Sequence, residues 1–140
     1  MALNYCRNLR LPFDEVVELV LDNLHVQGFN VVHDIDMKDD LRQNLHVPFR
    51  NYKILTACHT LLSYKAISLE PHIGTLLPCN VLIQERENGT VEVTAVNLLE
   101  SLDKNMATTS LEDVATEISD RLRTAVDSLA VRTERFSFSY

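Results

Sequence analysis

Glycine is scarce in this sequence, and its scarcity excludes several kinds of active site. Only three glycines occur in 140 residues, so the chain has no glycine-rich loop of the kind that cradles phosphate groups. The G-x-S-x-G motif of serine hydrolases and the H-E-x-x-H motif of zinc proteases are also missing. The sequence therefore favours a protein that is not an enzyme, and we expect no cofactor.

Basic residues are in the minority, which limits the classes of partner. Thirteen Lys and Arg stand against twenty Asp and Glu, a formal net charge of −7. A domain that holds nucleic acid neutralises phosphates and is normally basic on at least one face. Here the basic residues are scattered, so we expect no nucleic-acid partner and no attachment to an anionic membrane surface.

Long apolar runs are absent as well. No run approaches the roughly 20 residues that a membrane-spanning helix needs, and the first fifteen residues do not follow the signal-peptide pattern. Three cysteines are an odd number, and a chain of this length does not need disulfides for stability. We expect reduced thiols and a cytoplasmic protein without a membrane span.

Apolar periodicity predicts helices that alternate with strands. Strands are predicted over residues 3–9, 29–35, 52–58, 79–87 and 91–96. Helices are predicted to begin at Pro12, after Asp36 as N-cap, at His59 and after Ser110 as N-cap. In the helix that begins at His59, the spacing of Leu62, Ala66 and Leu69 predicts that they point inward.

Asn88-Gly89 separates the last two predicted strands and predicts a two-residue hairpin turn, because both residues tolerate positive φ angles. With this hairpin, the pattern predicts a single α+β domain over residues 1–140, a mainly antiparallel sheet with helices packed on one face. Its core is expected at about residues 3–130. The end of the chain, residues 131–140, alternates Phe136, Phe138 and Tyr140, which fits an edge strand, a docking tail or a flexible end.

Three segments of the sequence resemble the bacterial domain-of-unknown-function family 302. They are DIDMKDDLRQNLHVPFRNYKILTAC, then YKAISLEPHIGTLLPCNVLIQE, then a G-x-V-x-V strand. The resemblance covers about Phe13 to Leu102. Within the family, the chain resembles the branch that has a cysteine after the third strand and an L-L-P-C segment. It implies a curved antiparallel sheet that grips helices, similar to TATA-binding-protein-like folds. It also implies a homodimer, and no activity is established for the family.

Two positions depart from that family pattern. Members of this branch usually read C-N-P after the third strand, where this chain has Cys58-His59-Thr60. Without proline, the fixed φ that would start the following helix is lost. The later turn reads Gly74-Thr75-Leu76, where a further leucine is common.

Two cysteines and the loop between them form the candidate site. Cys58 and Cys79 each stand at a strand end, and free cysteine is among the most buried residue types, so both are first interpreted as core residues. A reactive thiol pair is the alternative, although the chain has no C-x-x-C spacing. A metal site would draw on these cysteines with His59 and His72, but the spacing matches no zinc motif.

The leading hypothesis is a small cytoplasmic binding or interaction module without a catalytic motif, most simply a homodimer, whose small-molecule or protein ligand is unknown. The loop between the two cysteines is favoured because loops on a rigid sheet often carry function. The candidate ligand-binding residues are Cys58, His59, Pro71, His72, Pro78 and Cys79. The alternative hypothesis is a thiol-dependent redox or metal-handling protein that uses the two cysteines. Arg50 and Tyr52 are noted as a weaker candidate for binding an anion.

Overall fold

The computed structural model describes residues 4–137, and side chains within residues 4–129. The five strands are β1 (Asn4–Leu9), β2 (Asn30–Asp36), β3 (Tyr52–Cys58), β4 (Cys79–Glu85) and β5 (Val91–Val96). The helices are α1 (Phe13–Val26), α2 (Met37–Leu45), α3 (Thr60–Leu69), α4 (Leu98–Ser101) and α5 (Thr109–Ser137). A 3₁₀ turn over Pro71–Thr75 follows α3.

The five strands form one sheet in the order β1-β5-β4-β3-β2. Every neighbouring pair is antiparallel, and β2 carries an irregularity between Val31 and His33 where the register shifts. The predicted α+β class, with an antiparallel sheet and helices packed against it, is confirmed.

The inner face of the sheet forms the main hydrophobic core with α1 and α5. Alternate residues of β3, β4 and β5 point inward and are fully buried, as the period of a strand requires. They are Leu55, Ala57, Cys79, Val81, Ile83, Val91, Val93 and Ala95. The helices contribute buried side chains at helical spacing, including Val16, Val20 and Leu24 of α1 and Ile118, Leu122 and Leu129 of α5.

Side chains at the helix ends explain where most helices begin. Asp36 Oδ1 accepts a hydrogen bond from the Asp39 N–H at 3.1 Å, so Asp36 is the N-cap of α2 as predicted. The predicted N-cap of α5, Ser110, lies two residues beyond the observed one. Thr108 Oγ1, and not Ser110, accepts from the Leu111 N–H at 3.2 Å, because either hydroxyl suits this role and only the backbone path selects one.

Two further sequence predictions are corrected by the structure. Leu69 was predicted to face inward, but it is 49% exposed, since α3 ends there and the chain turns away into the 3₁₀ turn. The backbone remains helical through Ser137, so an edge strand is wrong for residues 131–137. Phe138 and Tyr140 lie outside the described residues.

The hairpin between β4 and β5 has the predicted pairing but a different turn. The Arg86 N–H donates to the Thr90 carbonyl at 2.8 Å and the Gly89 N–H donates to the Arg86 carbonyl at 3.0 Å. The loop is therefore three residues long, with Glu87 and Asn88 at the centre of a β-turn. Within this loop only Gly89 has a positive φ, at 82°. This is the three-residue loop in which a left-handed residue follows a turn, so the predicted two-residue turn is wrong.

No helix within residues 4–137 is both long enough and apolar enough to cross a membrane.

Gly89 should be the residue on which the hairpin depends. We expect Gly89→Ala to lower the free energy of unfolding by about 1 kcal/mol, because a side chain at a left-handed φ is strained even though no atom lies within 4 Å of the added Cβ. Gly74→Ala is the matched control, since its Cβ also meets open space and its φ lies outside the left-handed region. Urea unfolding of both variants measures the difference. Equal midpoints would contradict this account of the turn.

Candidate functional site

The pairing of β3 with β4 brings the two candidate cysteines to the same end of the sheet. Ala57 pairs directly with Cys79, so Cys58 is one residue beyond the partner of Cys79. Cys79 is 1% exposed, whereas Cys58 is half-buried and its Sγ lies 3.6 Å from Ser63 Oγ of α3. Both thiols are free, as is Cys6 on the exposed outer side of β1.

The environment of Cys79 suppresses the ionisation of its thiol. Burial, and in second place the neighbouring Cys58, raise the pKa of Cys79 to about 12. A reactive cysteine needs a lowered pKa, because the thiolate is the nucleophile and the metal ligand. Cys79 therefore packs as a small apolar residue between the sheet and the helices, and nothing in its surroundings favours the redox alternative.

His59 is the N-cap residue of α3. Its Nδ1 accepts a hydrogen bond from the Leu62 N–H at 3.3 Å, and its backbone is extended, as an N-cap residue requires. The side chain thus satisfies one of the N–H groups that the first turn of a helix leaves without a partner. This contact gives His59 a structural role.

The other side of the His59 ring packs against the end of α1. The ring meets Phe29 edge-on, with centroids 5.5 Å apart. It also covers Gly28, where a Cβ would lie 2.8 Å from Nε2 and where φ is 90°. Burial and the nearby Arg121 guanidinium lower the pKa of His59. The imidazole is therefore held neutral, with Nδ1 as an acceptor.

The remaining candidate residues lie on the surface after α3. Pro71 is the first residue of the 3₁₀ turn and is exposed, as is Pro78, which follows a cis peptide bond. His72 donates its backbone N–H to Glu70 Oε2 at 2.7 Å, and its Nδ1 lies 2.9 Å from the same oxygen. These two hydrogen bonds hold the pKa of Glu70 below its usual value.

The six candidate residues differ in their burial and in their place around α3. Cys79 is in the core, Cys58 and His59 are half-buried at the start of α3, and Pro71, His72 and Pro78 are exposed beyond its end. In the part of the chain whose side chains are described, no three His, Cys, Asp or Glu residues are grouped so that they could hold a metal ion.

The sequence did not lead us to predict an exposed apolar surface on α3, the helix between His59 and Pro71. Leu61, Tyr64 and Ile67 of α3 are exposed at 57%, 70% and 46%. They follow i, i+3, i+6 spacing and so share one side of the helix, away from the buried Leu62 and Ala66. The signal was present in the sequence, because α3 is apolar on both sides and not only on one.

A family model described as "Domain of unknown function DUF302" matches residues 5–129. The chain belongs to the DUF302 family. The crystal structure of an uncharacterized conserved DUF302 protein from Bacillus stearothermophilus has the same fold, with a TM-score of 0.81 and 21% sequence identity over 91% of this chain and 98% of that chain. A search of curated proteins gave no match.

At that level of identity the likeness to the Bacillus stearothermophilus protein shows the fold alone. It confirms the antiparallel sheet and its helices for this DUF302 protein.

The cap at His59 should make the stability of this DUF302 protein depend on pH. Because the folded state lowers the pKa of His59 from 6.5, stability is full above that value and falls as the pH drops below it, where the unfolded chain binds the proton first. His59→Asn keeps a capping acceptor but not the titration, so its stability should fall less between pH 7 and pH 5. The His59→Ala variant should be about 1 kcal/mol less stable than the wild type at pH 7, because its side chain cannot cap α3.

His25→Asn, at an exposed position on α1, is the control for the His59 variants. Urea unfolding at several pH values gives the slopes. An identical slope for wild type and His59→Asn would show that His59 is not the titrating group.

Thiol labelling tests the assignment of Cys79 to the core. In a Cys6→Ser background, which removes the exposed thiol, we expect Cys79 to react with a thiol reagent only after unfolding, and Cys58 to react slowly in the folded protein. Cys79→Ala identifies which signal belongs to which residue and should cost on the order of 1–2 kcal/mol of stability. Rapid labelling of both thiols in the folded protein would refute the core assignment.

Proposed function

We propose that this DUF302 protein is a non-enzymatic interaction module that forms a homodimer through the outer surface of α3. The observation that supports the proposal is the exposed apolar set Leu61, Tyr64 and Ile67, called the α3 surface below. The partner of the expected binding module is then a second copy of the chain.

Exposing the apolar α3 surface to water costs free energy, and burial against another protein would remove that cost. Burying apolar area contributes roughly 25 cal/mol per Å², and monomeric soluble proteins rarely keep large contiguous apolar patches exposed. Tyr64 is the most exposed of the three side chains, and tyrosine is enriched in interfaces because it is large and keeps a polar hydroxyl.

Charge also favours this surface as the place where two copies meet. The whole chain carries a net charge of −7, so most pairs of surfaces on two copies repel each other. The α3 sequence TLLSYKAISL contains no Asp or Glu and has Lys65 as its one charged residue. Two copies that meet through α3 would therefore bring no carboxylate of α3 itself into the interface, and a twofold axis would present the same patch on both.

The residues predicted as a binding site then have supporting roles around this surface. Cys58 and His59 fix the beginning of α3, and Pro71 and His72 form the turn that follows it. We also propose that the protein works in the cytoplasm, which suits three free thiols of which one is exposed.

Light scattering coupled to size-exclusion chromatography tests the dimer. At high micromolar concentration we expect the wild type to be a dimer and the double variant Leu61→Glu, Ile67→Glu to be a monomer, because four carboxylates would be buried in the interface. The matched control is Val26→Glu, Leu45→Glu, which changes two apolar residues on other helices that are 69% and 63% exposed. This control should remain a dimer.

Circular dichroism of both variants shows whether each is folded. A monomeric wild type would refute the homodimer, and a dimer that survives the α3 double variant would refute this choice of surface. Dissociation of the control as well would mean that added negative charge alone, and not the α3 surface, decides association.

A further inference from the structure

Two arginines converge on a single amide oxygen at the end of the sheet away from α3. Gln84 Oε1 accepts from Arg50 Nε at 3.2 Å, from Arg50 Nη2 at 3.0 Å and from Arg86 Nη1 at 3.1 Å. Both guanidinium groups are thus within hydrogen-bond distance of one uncharged acceptor. Two cations held this close repel each other unless an anion lies nearby.

The acceptor and one of the cations are held in place by their surroundings. Gln84 is 8% exposed, and its Nε2 donates to Glu92 Oε1 at 3.2 Å, which turns its oxygen toward the arginines. The Arg50 guanidinium lies 4.4 Å from the Phe49 ring centroid and 5.5 Å from that of Tyr52. The arrangement is therefore organised before any ligand arrives, which reduces the entropy lost on binding.

The arginines also line a cavity. It has a volume of about 400 Å³ and is bounded by Arg50, Arg86, Glu87 and Asn88, a size in the range of small-molecule sites. Within residues 4–129, neither arginine forms an ion pair with a carboxylate. Each guanidinium has five N–H donors, and Gln84 engages only a minority of them, so donors remain for a ligand.

We propose that Arg50 and Arg86 form a binding site for the carboxylate group of a small molecule. Arginine binds carboxylates and phosphates with paired hydrogen bonds. Glu87 lines the same cavity, so the lining carries two positive charges and one negative. Because the Glu92 carboxylate also lies close by, on Gln84 Nε2, a singly charged carboxylate is favoured over a phosphate dianion, which would add more negative charge. This site is separate from the α3 surface and does not depend on the proposed dimer.

Titration with acetate at constant ionic strength tests the site, followed through the backbone amide signals of Arg86, Glu87 and Asn88 in nitrogen-15 NMR spectra. We expect saturable shifts with acetate and weaker binding of inorganic phosphate. Arg86→Gln should weaken acetate binding at least about tenfold, the effect of losing one charge-assisted hydrogen bond. Glu87→Gln should strengthen it, because a competing negative charge is removed.

Arg42→Gln is the control, since Arg42 is an exposed arginine on α2 that pairs with Asp39 instead, and we expect it to bind acetate as the wild type does. Arg50→Gln should also weaken binding, provided its spectrum shows an intact fold. Shifts no larger than those produced by chloride would overturn the site. Acetate shifts that persist in Arg86→Gln would overturn the role of the arginines, and tighter binding of phosphate would overturn the assignment to carboxylates.

Discussion

Helices α1 and α5 cover the inner face of the sheet, and the rest of this structure depends on that packing. That face is apolar on three adjacent strands and cannot remain in water. The two helices are joined across it by a buried hydrogen bond from Asn23 Nδ2 to the Ala125 carbonyl at 3.0 Å. A buried amide without this partner would cost free energy, so the bond favours one alignment of α1 with α5.

This cover determines which surfaces are left for partners. A second, smaller core joins Ala66 of α3, Ile73 of the 3₁₀ turn and Leu111 of α5, so the inner side of α3 is committed to α5. The other side of α3 must then face outward, with its apolar residues exposed. At the opposite end of the strands, the chain that enters β3 and the chain that leaves β4 bring Arg50 and Arg86 together, since Tyr52 pairs with Gln84.

Local patterns in the sequence predicted the elements, and long-range packing decided the details that were missed. Strands and helices were recognised because their apolar spacing is a local property. Asn88-Gly89 was assigned the wrong turn because Gly89 alone fits two different loops, and the register between β4 and β5 selects one. The convergence of Arg50 and Arg86 depends in the same way on the register between β3 and β4. The family was predicted from the same segments that now match it, but the capping role of His59 follows only from the hydrogen bond that its Nδ1 accepts from the Leu62 N–H.

The order of the strands makes the pairing of β1 with β5 a contact between distant parts of the chain. Strand β1 comes first in the chain, yet its neighbour in the sheet is β5, through pairs that run from Asn4 with Val96 to Leu9 with Val91. During synthesis, β1 can therefore pair with its neighbour only after about two thirds of the chain has been made. The loop that this pairing closes is long. Until then α1 lacks both β5 and α5, so a chain interrupted before α5 would expose the apolar inner face of the sheet. The last helix thus completes the cooperative unit and protects it from aggregation.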